Sequence, residues 1–234
     1  MMMISILCAT RERPARFEAM VESAFRTASH PERVTVLARV DRDDPRLSDY
    51  ETLSGTLQGA TFVCGESGSV MGMFNDLAAR ASGDVLMACA DDVLFRTPAW
   101  DLAVERALGD GCAAVAVPMD GAEARKGLRC THFFVTRAWF DCVGHLVHPT
   151  YEHFYADTHI ADIAMRANRL IWLRDVLVEH MHPNNGKAPR DLTYSAKRVG
   201  PKGRRASDRD QERYTALSDE RRAVAERIRG GAHG

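Results

Sequence analysis

Short apolar runs alternate with amphipathic segments through the first half of the chain, and this alternation constrains the fold more than any other feature. Met3 to Ala9 is apolar without helical spacing, the mark of a buried strand. Pro14 is placed to open a helix, and Phe17, Met20, Val21, Ala24 and Phe25 then recur three and four apart on one face. Arg33 to Val40, rich in β-branched residues, reads as a second strand, and Ala60 to Cys64 as a third. A helix over Met73, Leu77 and Ala78 is expected to end at Gly83. Asp84 to Ala90 is a fourth strand, and a helix through Trp100, Val104 and Leu108 follows it. Ala113 to Val117 and Leu128 to Thr136 are further strands. Phe154 to Asn168 is helical by its Ile160, Ile163, Ala164 and Ala167 face, and Leu170 to Val178 is the last strand. Strand and helix in alternation imply an α/β fold with a largely parallel central sheet flanked by helices.

Such sheets bind ligands beyond the carboxyl ends of their strands. Three of the predicted strand ends carry chemistry: Asp41 and Asp43 after the second, Asp91 and Asp92 after the fourth, and His180 and His182 after the last. Two adjacent aspartates leaving an apolar strand suit a divalent cation of the Mg2+ or Mn2+ kind, which takes oxygen ligands and lets water and phosphate complete its shell. They equally suit a capped turn. His180 and His182 alternate along an extended segment, so one of them at most is expected to face such a metal. Asp157 precedes a helix, where aspartate is also a preferred N-cap.

The residues in this order resemble family 2-like glycosyltransferases of the GT-A fold. ISILCATRERP is similar to that family's first strand and donor-binding turn, and VDRDDP to its second strand end. NDLAARASGDVLMACADDVLF is similar to the approach to its D-x-D metal motif. FYADTHIADIAMRANRLIWL is similar to the segment with its acidic base, and VEHMHP to the site of its later histidine. The likeness runs through most of residues 3 to 183 and rests on order and spacing. It departs at Ala90, which occupies the motif's first acidic position and leaves Asp92 as the direct metal ligand.

The resemblance implies a transferase using a nucleotide-sugar donor, an acceptor hydroxyl and Mn2+ or Mg2+, with inversion at the sugar carbon. It places the catalytic base at Asp157, with Asp162 and then Glu152 as fallbacks. It places the metal at Asp92 with His180 or His182. It places donor contacts at Thr10, Arg11, Asp41, Asp43, Asn75 and Asp91, with Lys187 from a basic loop closing over the diphosphate. Trp139 is the candidate on the acceptor side.

Composition narrows the alternatives. A formal net charge of −1 gives no global field to recruit nucleic acid. No run approaches the roughly 18 apolar residues of a membrane span, and the apolar start is short for a signal peptide. The six cysteines form no C-x-x-C pair and read as reduced, which suggests the cytoplasm. Nucleotidyl transfer would want a glycine-rich loop after the first strand, where TRERP stands instead. Nine histidines leave a metal hydrolase open, yet no H-E-x-x-H spacing occurs. After Pro183 the composition shifts, dividing the chain into a domain over 1–183 and a region over 184–234. That region holds a basic loop (Lys187, Arg190, Lys197, Arg198, Lys202, Arg204, Arg205) and one charged helix over Asp208 to Arg229. A nucleic-acid role would rest on this loop alone. The helix has a thin apolar stripe of Tyr214, Leu217, Val224 and Ile228, on which it is expected to pair with a second copy of the chain.

Overall fold

The structure, a computed structural model, describes residues 2–189 and 205–231. Its centre is an eight-stranded sheet in the order β3-β2-β1-β4-β7-β6-β8-β5. The strands are β1 (Ile4–Thr10), β2 (Val34–Asp41), β3 (Ala60–Gly65), β4 (Val85–Cys89), β5 (Val93–Phe95), β6 (Val115–Met119), β7 (Phe133–Thr136) and β8 (Leu170–His180). β1 pairs in parallel with β2 and β4, β2 with β3, and β6 with β8. β7 runs antiparallel to β4 and β6, and β5 antiparallel to β8. The helices are α1 (Pro14–Thr27), α2 (Leu47–Thr56), α3 (Val70–Arg80), α4 (Trp100–Leu108), α5 (Glu123–Lys126), α6 (Arg137–Val143), α7 (Ala156–Arg166), α8 (Ala206–Ala216) and α9 (Ser218–Gly230).

The two-residue period of the strands sorts the core into two layers. Ile4, Ile6 and Cys8 of β1, Val34, Val36 and Val40 of β2, and Val85, Met87 and Cys89 of β4 face one side. There they meet Phe17, Met20 and Val21 of α1, Tyr50 of α2, and Trp100 and Val104 of α4. Leu7, Leu86 and Val115 point to the other side, against Leu77 of α3, Trp139 of α6, Ile160 and Ile163 of α7, and Val224, Ala225 and Ile228 of α9. Each layer buries enough apolar surface to hold its helices without disulfides, and all six cysteines are free.

The structure departs from the sequence reading at several points. α2 and β5 are unforeseen. α3 ends at Ala81 in extended conformation, before Gly83, because the chain must turn into β4 at once. Gly83 serves that turn instead: a Cβ there would lie 2.8 Å from the Ser5 nitrogen. The strand expected over Leu128 to Thr136 is only β7, at its far end. Trp139, expected on the acceptor side, is fully buried core.

The C-terminal helix is two helices, broken at Leu217, where φ −88 and ψ 16 leave the α region. The apolar stripe expected to pair with another copy is spent within the chain: Val224 and Ile228 pack on the core, and Tyr214 and Leu217 lie against it. Arg221, almost fully buried, stacks over the Tyr214 ring at 3.7 Å and pairs with Asp162 on α7 at 2.6 Å. Composition changes after Pro183, but the helices beyond it pack back on α6, α7 and the segment before α7. The basic-loop positions Arg190, Lys197, Arg198, Lys202 and Arg204 lie outside the described residues.

Candidate functional site

A cavity of about 470 Å3 opens at the carboxyl ends of β1, β2 and β4. β7 is antiparallel and begins at this edge, so His132 and Phe133 join the wall. The end of β8 supplies His180, with His182 just beyond it. The first turn of α3 adds Met71 and Phe74, and the segment entering α7 adds Phe154, Tyr155 and Asp157. The volume suits a nucleotide-sized ligand, within the usual range for small-molecule sites.

On the β1–β2 side, Asp41 is nearly inaccessible. Its Oδ2 accepts from Arg11 Nη1 at 2.8 Å, while its Oδ1 is buried with no hydrogen-bond partner. Such an orphan acceptor is uncommon in a native fold and marks a place where an external donor fits. Arg11 also donates to Asp43 Oδ1 at 2.7 Å, and these carboxylates push its pKa further up, Asp43 first. Its charge is therefore engaged by two carboxylates. Arg11 thereby orients Asp41 at the cavity wall. Asp43 is exposed, is tied to Arg11 and Ser67, and is not part of the cavity wall.

The β4 end divides its two aspartates. Asp91 accepts from Thr10 Oγ1 at 2.8 Å and from Arg13 Nη1 at 3.1 Å, one bond to each carboxylate oxygen. Burial pushes its pKa up to about 6 against the pull of Arg13, with the neighbouring Asp92 adding to the rise. Thr10 is held in turn by Tyr50 at 2.8 Å. Thr10, Asp91, Arg13 and Tyr50 thus form a buried strut beneath the cavity. Asp92 turns the other way, and its Oδ1 lies 3.3 Å from His180 Nε2.

Three imidazoles line that side edge to face. His132 and His180 are 4.8 Å apart by ring centre, and His180 and His182 are 5.0 Å apart. His180 at the end of β8 and His182 beyond it both reach the cavity, because the extended segment does not continue past His180. β8 ends at His180, and the chain turns into a short 3-10 helix from Pro183. His132 is buried, its Nε2 has no partner, and burial with the neighbouring His180 lowers its pKa to about 3, so it is neutral. His132 and Arg13 escaped the sequence reading. The first stands where the sequence suggests mid-strand, and the second follows a turn in which any arginine looks solvated.

Asp157 lies in the first turn of α7, one residue past its start, so it is not the N-cap. The capping position is Tyr155, at φ 64, a left-handed conformation costly for a bulky side chain. Asp157 Oδ1 accepts the Thr158 N–H at 2.7 Å. Burial nonetheless raises its pKa, opposed by Thr158. The fallback carboxylates are occupied elsewhere: Asp162 pairs with Arg166 and Arg221, and Glu152 with Arg209 and Arg213.

Asn75 neither touches the cavity nor caps its helix. Its amide nitrogen donates to Val147 O at 2.8 Å, and its Oδ1 accepts from the Leu146 and Val147 amides. It clamps the loop behind the wall. Lys187 pairs with Glu179 at 2.6 Å and is likewise outside the wall.

Among the described lining residues, the charged groups are four aspartates (41, 91, 92 and 157) against two arginines, both already paired. A diphosphate would be repelled from such a wall unless a cation came with it. Asp92, His180 and His182 do not bring three ligand atoms to one point among the described residues. Asp92 and His180 do lie side by side, and the orphaned His132 nitrogen is close by. This oxygen-and-nitrogen set fits a divalent ion whose remaining positions are filled by phosphate and water.

No protein-family model matches the sequence, and no curated protein matches it. Solved structures do. The mannosyltransferase PcManGT from Pyrobaculum calidifontis, in complex with GDP-Man and Mn2+, aligns with TM-score 0.66 over 100% of this chain and 76% of its own, at 13% identity. TarS 1–349 from S. aureus, in complex with UDP-GlcNAc, aligns with TM-score 0.68 over 97% of this chain and 70% of its own, at 12% identity. A further TarS 1–349 structure aligns with TM-score 0.59 over 76% of this chain and 60% of its own, at 14% identity. The likeness at this identity is one of fold: the chain has the GT-A-like fold of nucleotide-sugar transferases.

Proposed function

We propose that the chain transfers a sugar from a nucleoside-diphosphate sugar to an acceptor hydroxyl, with a divalent cation and with inversion at the anomeric carbon. The carrying observation is the wall of the cavity on this GT-A-like fold. An unpartnered Asp41 oxygen stands on one side, the Asp92–His180 pair on another, and a half-buried Asp157 joins the same surface. The complexes of PcManGT with GDP-Man and Mn2+ and of TarS with UDP-GlcNAc support this reading by analogy of fold.

In this reading Asp41 accepts an N–H or O–H from the donor's base or ribose, oriented by Arg11. The Thr10–Asp91–Arg13 strut keeps the floor rigid. Asp92 would hold Mn2+ or Mg2+ by its carboxylate, and His180, with His132 or His182, would add nitrogen ligands suited to Mn2+. A cation held there would supply positive charge to neutralise the diphosphate and the charge left on it. Asp157 takes the acceptor's hydroxyl proton as that oxygen bonds to the anomeric carbon and the bond from that carbon to the phosphate oxygen breaks. Its raised pKa makes it a stronger base than an exposed aspartate, and general-base help contributes roughly 10²–10⁴-fold. Among the described residues no helix is long and apolar enough to cross a membrane. The six free thiols support a reducing compartment such as the cytoplasm.

The test is thermal stability against a panel of nucleoside diphosphates and nucleotide sugars, with and without Mn2+. A rise in Tm that needs both one nucleotide and the metal, and is lost in Asp92→Ala, supports the reading and names the base. If no nucleotide shifts Tm under any metal condition, the reading fails.

A further inference from the structure

A second cluster of metal-ligating side chains lies apart from the cavity. α6 ends at Gly144, whose φ of 85 turns the chain sharply and delivers His145 and His148 to one spot. Glu220, in the first turn of α9, meets them there. His148 Nε2 is 3.1 Å from Glu220 Oε1, and one ligand atom from each of His145, His148 and Glu220 lies within 4.8 Å of the other two. The two rings are 5.0 Å apart by centre, edge to face. His145 Nδ1 is buried with no hydrogen-bond partner. Beside it is a cavity of about 10 Å3, lined by His145, His148, His159 and apolar neighbours such as Trp139 and Ile160.

We propose that His145, His148 and Glu220 form a zinc site with three protein ligands, its fourth position taken by water. The donor set decides the metal: two imidazole nitrogens and one carboxylate suit Zn2+, whereas Mg2+ and Ca2+ prefer an all-oxygen shell. Ligands about 2.0–2.1 Å from a tetrahedral zinc sit roughly 3.3 Å apart. The His148–Glu220 pair is already near that spacing, and His145 closes by side-chain rotation. Zinc on His148 Nε2 moves that ring's proton to Nδ1, which costs the long 3.3 Å hydrogen bond that Nδ1 accepts from the Thr150 N–H. His159 backs the cluster, its ring 5.0 Å from that of His148 and its Nδ1 held by the Tyr151 hydroxyl at 2.9 Å.

The site would bolt the loop after α6 to α9. That loop also carries Val147, which lines the large cavity and is clamped by Asn75. Zinc here would therefore brace the wall of the large cavity from behind. The inference stands independently of the transferase reading.

The test uses the full chain, stripped with a chelator and titrated with Zn2+ alone against a chromogenic competitor, with metal content measured after dialysis. One zinc per chain is expected, with a rise in Tm. His148→Ala and Glu220→Gln should each weaken zinc binding at least about tenfold, the scale on which even outer-shell partners act. Asp92→Asn should retain it. Circular dichroism checks folding, and if His148→Ala unfolds, Glu220→Gln at its exposed position decides alone. The proposal is overturned if the wild type retains no zinc, if both variants bind it as the wild type does, or if Asp92→Asn abolishes binding.

Discussion

His180 Nε2 lies 3.3 Å from Asp92 Oδ1, joining the turn after β4 to the end of β8 across the mouth of the cavity. The contact is built by the sheet: β5 follows Asp92 and pairs antiparallel with β8, and the Met181 amide donates to Asp92 O at 2.8 Å. Asp92 and His180 are therefore held together before any ligand arrives. Asp92→Asn should abolish the Mn2+-dependent part of any nucleotide-induced rise in Tm while leaving the apo Tm within a few degrees. His180→Ala should weaken it less, because His132 and His182 stand beside it. Differential scanning fluorimetry with and without Mn2+ distinguishes the two, and equal loss in both would contradict this division.

Asp157→Asn should lower kcat by roughly 10²–10⁴-fold with donor affinity nearly unchanged, since the base acts in the chemical step. Donor binding measured by calorimetry beside turnover checks the split. A parallel loss of binding would move Asp157 into the donor site.

Asp41→Ala removes an acceptor with one unused oxygen and releases Arg11. A hydrogen bond to a charged group contributes about 1.5–3 kcal/mol, so nucleotide affinity should fall on the order of tenfold or more. Free nucleoside should lose affinity in proportion, whereas free pyrophosphate should not, and a titration of each ligand reads the difference.

Asp210, fully buried on α8, accepts the amides of Glu152, His153 and Phe154 at 2.9–3.2 Å. It holds the segment that leads to Asp157. Asp210→Ala leaves those amides without their acceptor, at about 3 kcal/mol. Tm should drop on the order of 10 °C for a chain of this size. A drop within a degree or two would mean that α8 contributes little to holding the segment.

Glu152 is bound by Arg209 and then Arg213, which hold its pKa near 2 against an ordinary 4.5. A carboxylate depressed on folding adds stability that is complete above its unfolded value and is lost as pH falls through the folded one. The attachment of α8 should therefore weaken from about pH 4.5 down to about pH 2. The carboxylate is well exposed, so the effect is small and screened by salt. In urea unfolding across that window, Glu152→Gln should show a flatter pH dependence than the wild type.

Much of this molecule was legible in its residues alone. The periodicity of Ile4 to Thr10, Val34 to Asp41 and Val85 to Cys89 announces buried parallel strands, because a strand covered on both faces must be apolar throughout. That in turn places Asp41, Asp91 and Asp92 at one edge of the sheet. What distinguishes neighbours at that edge was not legible. The resemblance sets Asp92 apart as a metal ligand, but only the structure shows that Asp91 is locked by Thr10 and Arg13 while Asp92 faces His180. Arg11 reads as a donor contact, and nothing local shows that Asp41 and Asp43 hold it. His132 reaches the cavity because β7 runs against its neighbours, and strand direction depends on pairings far apart in the chain. His145, His148 and Glu220 meet only because α9 folds back on α6 and α7. The residue pattern determined which side chains stand at strand ends, since that follows from a local repeat. Tertiary structure decided which of them meet, since long-range packing selects the partner of each charge.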